Sequence, residues 1–211
     1  MQPPSPRQGR RGKAADARAA ILQAATQLFA QHGYDATTTR MIAKEAGVAE
    51  GTIYLYFPSK RHILLSLIQQ ASVPVVTSRL ASAEGQSDEE MLRALFTERI
   101  EFGRQYAPLL KTLLSEAMHD AELAQQLIQE VIQPLSALLK EYIARRIERG
   151  DFREVPVDIA VRALVGAFWF TIVYDHLLAC DPTTKAEVLG SYTPEEYARW
   201  FVNLLLGGIT R

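Results

Sequence analysis

Apolar residues in this chain recur every three to four positions from Asp16 to Leu206, and nowhere do they alternate with polar ones over the length of a strand. No hairpin signal joins two such runs. A period near 3.6 residues suits the α-helix alone, so the sequence predicts an all-α fold. The first helix is expected from Asp16, with Ile21, Ala24, Ala25, Leu28 and Phe29 on its inner stripe and Gly33 at its end.

The next two helices are short and nearly contiguous. "TTTRMIAKEAG" offers a threonine cap, turns Ile42, Ala43 and Ala46 inward, and ends at Gly47. Only the Gly47-Val48 turn separates it from a second short helix. Two helices joined in this way form a helix-turn-helix, whose second member is free to enter a major groove. Pro58 cannot continue that second helix. Ser59 is placed to cap a longer one bearing Ile63, Leu64, Leu67, Ile68 and Ala71, with a bend expected at Pro74.

After "SAEGQSD" the helical period resumes. Met91, Leu92, Leu95, Phe96, Ile100 and Phe102 predict one helix, "YAPLLKTLLSEAMH" another, and residues 121–149 a long third. "RGDF" breaks the chain, and 157–178 and 194–206 supply two more. The resulting organisation is a disordered basic arm over 1–13, a helix-turn-helix domain over 14–60, and a larger helical domain over 61–211. The arm either touches DNA or is an inert tail.

Net charge is −1, but it is unevenly placed: residues 1–62 hold nine Lys/Arg against four Asp/Glu, and 63–211 hold fourteen against twenty. A basic front on an acidic body points to nucleic-acid binding at the front. The single cysteine, Cys180, excludes an internal disulfide and fits a reducing cytoplasm. "MQPPSPRQGRRGK" has no apolar segment of the secretory type behind it, and the apolar run 163–174 is too short to span a bilayer, so no membrane partner is expected.

Chemistry concentrates at the second short helix. Ile53 and Phe57, four apart, share its inner face, whereas Tyr54 and Tyr56, two apart, cannot share one face and keep their hydroxyls outside. Gly51 weakens the helix by roughly 1 kcal/mol relative to alanine, yet permits another surface to come close. Lys60 and Arg61 lie in a first helical turn, where the dipole disfavours cations. They are either ordinary solvated side chains or a phosphate site at a helix N-terminus.

"GYDATTTRMIAKEAGVAEGTIYLYFPSKRHIL" resembles the DNA-binding domain of the tetracycline-repressor (TetR/AcrR) family. The remainder is similar only in length, helical pattern and the "RGDF" break. The resemblance implies a homodimeric transcriptional regulator, without catalysis or cofactor, that binds a double-stranded DNA operator and is released by a small-molecule effector. It implies Thr39, Tyr54, Tyr56 and Lys60 on phosphates and Arg40, Glu50, Gly51 and Thr52 nearest the bases, with Arg40 the candidate for a guanine. Thr38 either caps its helix or touches phosphate. The family's usual serine after "AGV" is here Ala49, which removes a side-chain cap typically worth about 1 kcal/mol.

The resemblance also puts the effector among the middle helices, at Phe102, Tyr106, Leu110, Leu113, Leu114, Met118, Phe168, Trp169 and Ile172. These apolar and aromatic side chains suit a hydrophobic effector. The helix around "RALVGAFWFTIVYDHLLA" is apolar on more than one face, and its second face could meet a partner subunit together with Val202, Leu205 and Leu206. An all-α enzyme or carrier with an incidental basic end is the alternative. It would need converging titratable groups, and only two weak sets exist: Asp175, His176 and Cys180, and Glu116, His119, Asp120 and Glu122.

Overall fold

The structure is a computed structural model, and it describes residues 6–82, 85–172 and 192–209. In order these form α1 (Pro6–Ala36), α2 (Thr39–Glu45), α3 (Glu50–Tyr56), α4 (Lys60–Ala81), α5 (Asp88–His119), α6 (Ala121–Leu127), a π-helical turn (Ile128–Ile132), α7 (Gln133–Arg149), α8 (Val157–Ile172) and α9 (Pro194–Ile209). No strand occurs among the described residues, as the periodicity requires.

α1 begins earlier than its apolar stripe. Residues 6–13, expected as part of a disordered arm, are helical. Pro6 stands at the first helical position, where its fixed φ is already helical, and Gln8, Arg10, Arg11 and Lys13 are of high helix propensity. At the other end Gly33 leaves the helical region at φ 78°, ψ 168°, a conformation open to glycine and costly to other residues. Thr37, 1 % exposed, locks the kink: its Oγ1 lies 2.7 Å from the Gly33 carbonyl oxygen and 3.2 Å from that of Leu28.

α2 and α3 have seven residues each, well below the ~12–15 at which an isolated helix becomes even marginal in water. Burial holds them. Ile42, Ala43, Ile53 and Phe57 join Ile21, Ala25 and Phe29 of α1 and Ile63, Leu64 and Ile68 of α4 in one cluster. Thr38 caps α2, accepting from Met41 N–H at 3.2 Å. Its end is a Schellman motif: Gly47, at φ 68°, donates to Lys44 O, and Val48 donates to Ala43 O at 3.0 Å.

α4 is long and apolar enough to cross a membrane by length and composition, but its buried residues pack on α1, α5 and α7 as a core helix does. The helix runs on through Pro74. Ser59 sits at its N-cap position without capping it, because its hydroxyl is 2.8 Å from His62 Nδ1 instead.

The two helices expected between residues 91 and 119 are one. α5 starts at a capping box between Ser87 and Glu90 and continues past Pro108. The lost hydrogen bond there is outweighed by the burial of Phe102, Ala107, Leu110 and Leu113 on both sides of the proline. The long helix over 121–149 is interrupted by the π-turn, and Gln133 N–H there reaches back five residues to Ile128 O. Pro134 follows at once. A proline ring collides with the carbonyl four residues earlier, here Glu130, and widening the turn at that point relieves the collision.

α9 packs along α5, and α8 packs against α5 and α7. Val202, expected at a subunit interface, is instead 0 % exposed within the subunit, in a second cluster with Met91, Leu92, Tyr142, Phe152 and Leu164. The outward stripe of α9 carries Trp200 and Leu204, 57 % and 77 % exposed.

Candidate nucleic-acid interface and ligand cavity

Thr38, Arg40, Glu50, Gly51 and Tyr54 are exposed on the α2–α3 unit, and Thr39, Thr52, Tyr56 and Lys60 are partly buried beside them. Ile53 and Phe57 face the core, at 0 % and 2 % exposure. The tyrosines divide as their spacing demands: Tyr54 is 52 % exposed, whereas Tyr56 packs against the cluster below.

Three of the expected contact residues bind one another. Thr39 Oγ1 donates to Glu50 Oε1 at 3.0 Å and lies 3.2 Å from Tyr54 Oη. A threonine hydroxyl has one proton, so Tyr54 must be the donor in the second bond. The chain Tyr54–Thr39–Glu50 fastens α3 to the start of α2 on the outer surface. It also restrains a carboxylate that would otherwise stand free toward an anionic partner. Ala49, at the N-cap of α3, makes no side-chain bond.

Lys60, expected on a phosphate, also has partners within the chain. Its Nζ donates to Tyr34 O at 2.7 Å and Thr37 O at 2.9 Å, and lies 4.0 Å from the Tyr34 ring centroid. Two of its three N–H groups thus tie α4 to the end of α1, which leaves one for a phosphate. Burial lowers its pKa, and burial also raises that of Tyr34 to about 12. Tyr34 was not expected at this site. Its backbone carbonyl serves Lys60, a role no side-chain pattern announces.

Gly51 is open: a Cβ built there would meet nothing within 4 Å. The protein's own packing therefore does not require glycine. Leu55, 80 % exposed beside Tyr54, was also missed. The inward placement of Ile53 and Phe57 turns Leu55 outward.

Arg61 joins this region to the rest. Its Nε lies 2.5 Å from Glu116 Oε2 at the end of α5, and its Nη1 donates to Asp120 Oδ2 at 3.0 Å. Asp120 Oδ1 also accepts from Glu122 and Leu123 N–H, capping α6, and the Leu123 backbone bond leads the causes that hold its carboxyl below the usual range. Of the carboxylates read as candidate metal ligands, Asp120 is thus a cap and, with Glu116, an anchor for Arg61, while His119 Nδ1 faces Ser115 O at 2.9 Å. Among the described residues no group of three or more His, Cys, Asp or Glu gathers to hold a metal. Asp175, His176 and Cys180 lie outside the described residues.

Between α4, α5, α7 and α8 lies a cavity of about 90 Å³. Of the side chains expected around an effector, Phe102, Leu110, Leu113, Leu114, Phe168 and Trp169 line this cavity. Tyr106 instead borders a surface groove with Phe29 and Tyr34. Met118 is 83 % exposed in the last turn of α5, beyond the cavity. The Ile172 side chain lies outside the described residues. The sequence reading missed Ile68, Ser72 and Val76 of α4, Leu135, Ser136 and Leu139 of α7, and Arg99. Their helical stripes read as core, and a cavity wall has no separate periodicity. The volume falls well short of the ~300–1,000 Å³ typical of drug-sized sites.

Residues 21–67 match the family model described as bacterial regulatory proteins, tetR family, and residues 76–189 match the tetracyclin repressor-like C-terminal domain. The chain is 32 % identical over 188 residues to YhgD, an HTH-type transcriptional regulator of Bacillus subtilis (strain 168), covering 83 % of this chain and 92 % of that one. FadR of Bacillus halodurans, a fatty acid degradation regulator, has a similar structure at TM-score 0.65 and 29 % identity, covering 90 % of this chain and 98 % of that one. FadR of Thermus thermophilus, a transcriptional repressor solved in complex with lauroyl-CoA, matches at TM-score 0.69 and 26 % identity, covering 90 % and 94 %. With both halves matched in order and the helix-turn-helix built as its motif demands, the chain belongs to the tetR family of bacterial transcriptional regulators.

Proposed function

We propose that this regulator is a cytoplasmic, homodimeric repressor that binds operator DNA through residues 14–60 and leaves it when a small hydrophobic effector enters residues 61–211. The observation that carries the reading is the Arg61 bridge. It links the first turn of α4, beside the DNA-facing unit, to the α5–α6 junction below the cavity. The lauroyl-CoA complex of the Thermus thermophilus relative supports an acyl-chain effector. Trp200 and Leu204 on α9 support pairing of two subunits through that face.

Arg40 reads a base edge and Tyr56 and the remaining N–H of Lys60 hold phosphates, while Thr39 and Tyr54 reach phosphates by turning their hydroxyl protons away from the chain to Glu50. Two heads of a dimer engage successive major grooves only when they stand about 34 to 36 Å apart. A cavity too small for an acyl chain must widen to receive one. Widening moves α5 against α4, and Arg61 carries the displacement to the head. The coupling needed is on the order of 1 to 3 kcal/mol.

Fluorescence anisotropy on the DNA upstream of the protein's own gene tests this, with laurate and lauroyl-CoA added separately to the complex. Binding in dilute salt and release by one of the two are expected. A protein that ignores that DNA, or one that sediments as a monomer at micromolar concentration, would remove the reading.

A further inference from the structure

Arg99 stands on α5 at the cavity wall, one turn before Phe102. Its guanidinium carbon lies 4.9 Å from the Phe102 ring centroid, and its Nε–H is buried without an acceptor. No carboxylate among the described residues pairs with it. Burial alone draws its pKa down to about 10. Other arginines of the helical body are served: Arg61 by Glu116 and Asp120, Arg79 by Glu98, and Arg146 by Asp88 and Asp151.

The rest of the wall is hydrocarbon apart from the hydroxyls of Ser72 and Ser136 and the indole N–H of Trp169. Holding a partly buried cation among leucines and phenylalanines, with no carboxylate of the described residues beside it, is unfavourable, and a leucine or methionine would pack there at no such cost. Stability of the empty protein does not select Arg99. A ligand that brings the missing anion would.

We infer that the effector is a free carboxylic acid, its carboxylate paired with Arg99 and its hydrocarbon body filling the apolar cavity. The inference rests on the ligand-responsive reading above and narrows it. A guanidinium fork donates two parallel N–H bonds to a carboxylate, a geometry that an alcohol cannot reciprocate. An acyl thioester offers one neutral carbonyl at the same point, with its charges far off on the carrier's phosphates. The acid is therefore the member of the acyl series that Arg99 selects.

Calorimetry on the full-length protein with octanoate, octanol and octanoyl-CoA, for the wild type and for Arg99→Gln, tests this. Octanoate should bind the wild type at least tenfold tighter than octanol. Arg99→Gln should bring octanoate down to the level of octanol and leave octanol unchanged. The variant should melt no lower than the wild type, since it removes an uncompensated cation, which separates lost pairing from lost folding. Equal binding of acid and alcohol by the wild type, or an acid preference that survives Arg99→Gln, overturns the inference. If octanoyl-CoA alone binds and releases DNA, the inference falls and the ligand-responsive reading stands. If octanoate binds through Arg99 but no compound releases DNA, the inference stands and the reading of release falls.

Discussion

The head and the cavity satisfy their polar groups in opposite ways. In the head, Tyr54, Thr39 and Glu50 bond to one another, and Lys60 is held by the carbonyls of Tyr34 and Thr37. In the cavity, Arg99 has an unanswered donor and its walls enclose about 90 Å³. A surface whose side chains are already bonded to one another need only exchange a hydroxyl bond or two to meet its partner. An unfilled, unneutralised interior must change to receive one. On the proposed reading, that difference is what would let the second region act on the first: binding energy gained in the cavity would move helices, and the head would follow as a rigid piece.

The largest expected effect tests whether the head is as tightly closed as this contrast requires. Phe57, 2 % exposed beneath the recognition helix, should cost about 3–5 kcal/mol when changed to alanine. Urea denaturation followed by circular dichroism measures the loss, and DNA binding should disappear with it. A loss below about 1 kcal/mol would mean that the head collapses freely around the gap, and the contrast would fail.

Two changes of the next size probe the link and the reader. Arg61→Ala should leave DNA affinity and ligand affinity each nearly intact while weakening their coupling, which is on the order of 1 to 3 kcal/mol. Titrating ligand into preformed complexes reads that directly, and undiminished release would assign the transmission to packing alone. Arg40→Ala should cost about 1–3 kcal/mol on the preferred site and relax discrimination at one base position. An equal loss on every sequence would make Arg40 a phosphate contact.

How much was legible in the sequence follows the same division. Ile42, Ala43, Ile53 and Phe57 could be assigned inward because helix period and a two-residue turn leave them no other place. Thr38 as a cap followed from local chemistry. Lys60 escaped because its partners are backbone carbonyls brought near by the Gly33 kink, 26 and 23 residues away in the chain. Pro108 read as a break because local cost is visible in sequence, while the burial that offsets it is not. Arg99 escaped for a related reason. On a helix bearing Glu98 and Glu101 it looks like any solvated arginine, and only the placement of α4, α7 and α8 encloses it.

The smallest effect separates stability from binding at one atom. Gly51 lies in α3 with open space where a Cβ would stand. Alanine there should stabilise the chain by roughly 1 kcal/mol, through the backbone freedom that glycine retains when unfolded. The same methyl projects from the exposed side of the recognition helix, so if that helix enters a groove closely it must be pushed back. DNA affinity should then fall about tenfold, near 1.4 kcal/mol, while the melting temperature rises. Opposite signs in the two measurements would place the demand for glycine on the DNA side. If both rise, or affinity does not move, DNA does not approach α3 at Gly51, and the surface that touches it lies nearer Tyr54 and Leu55.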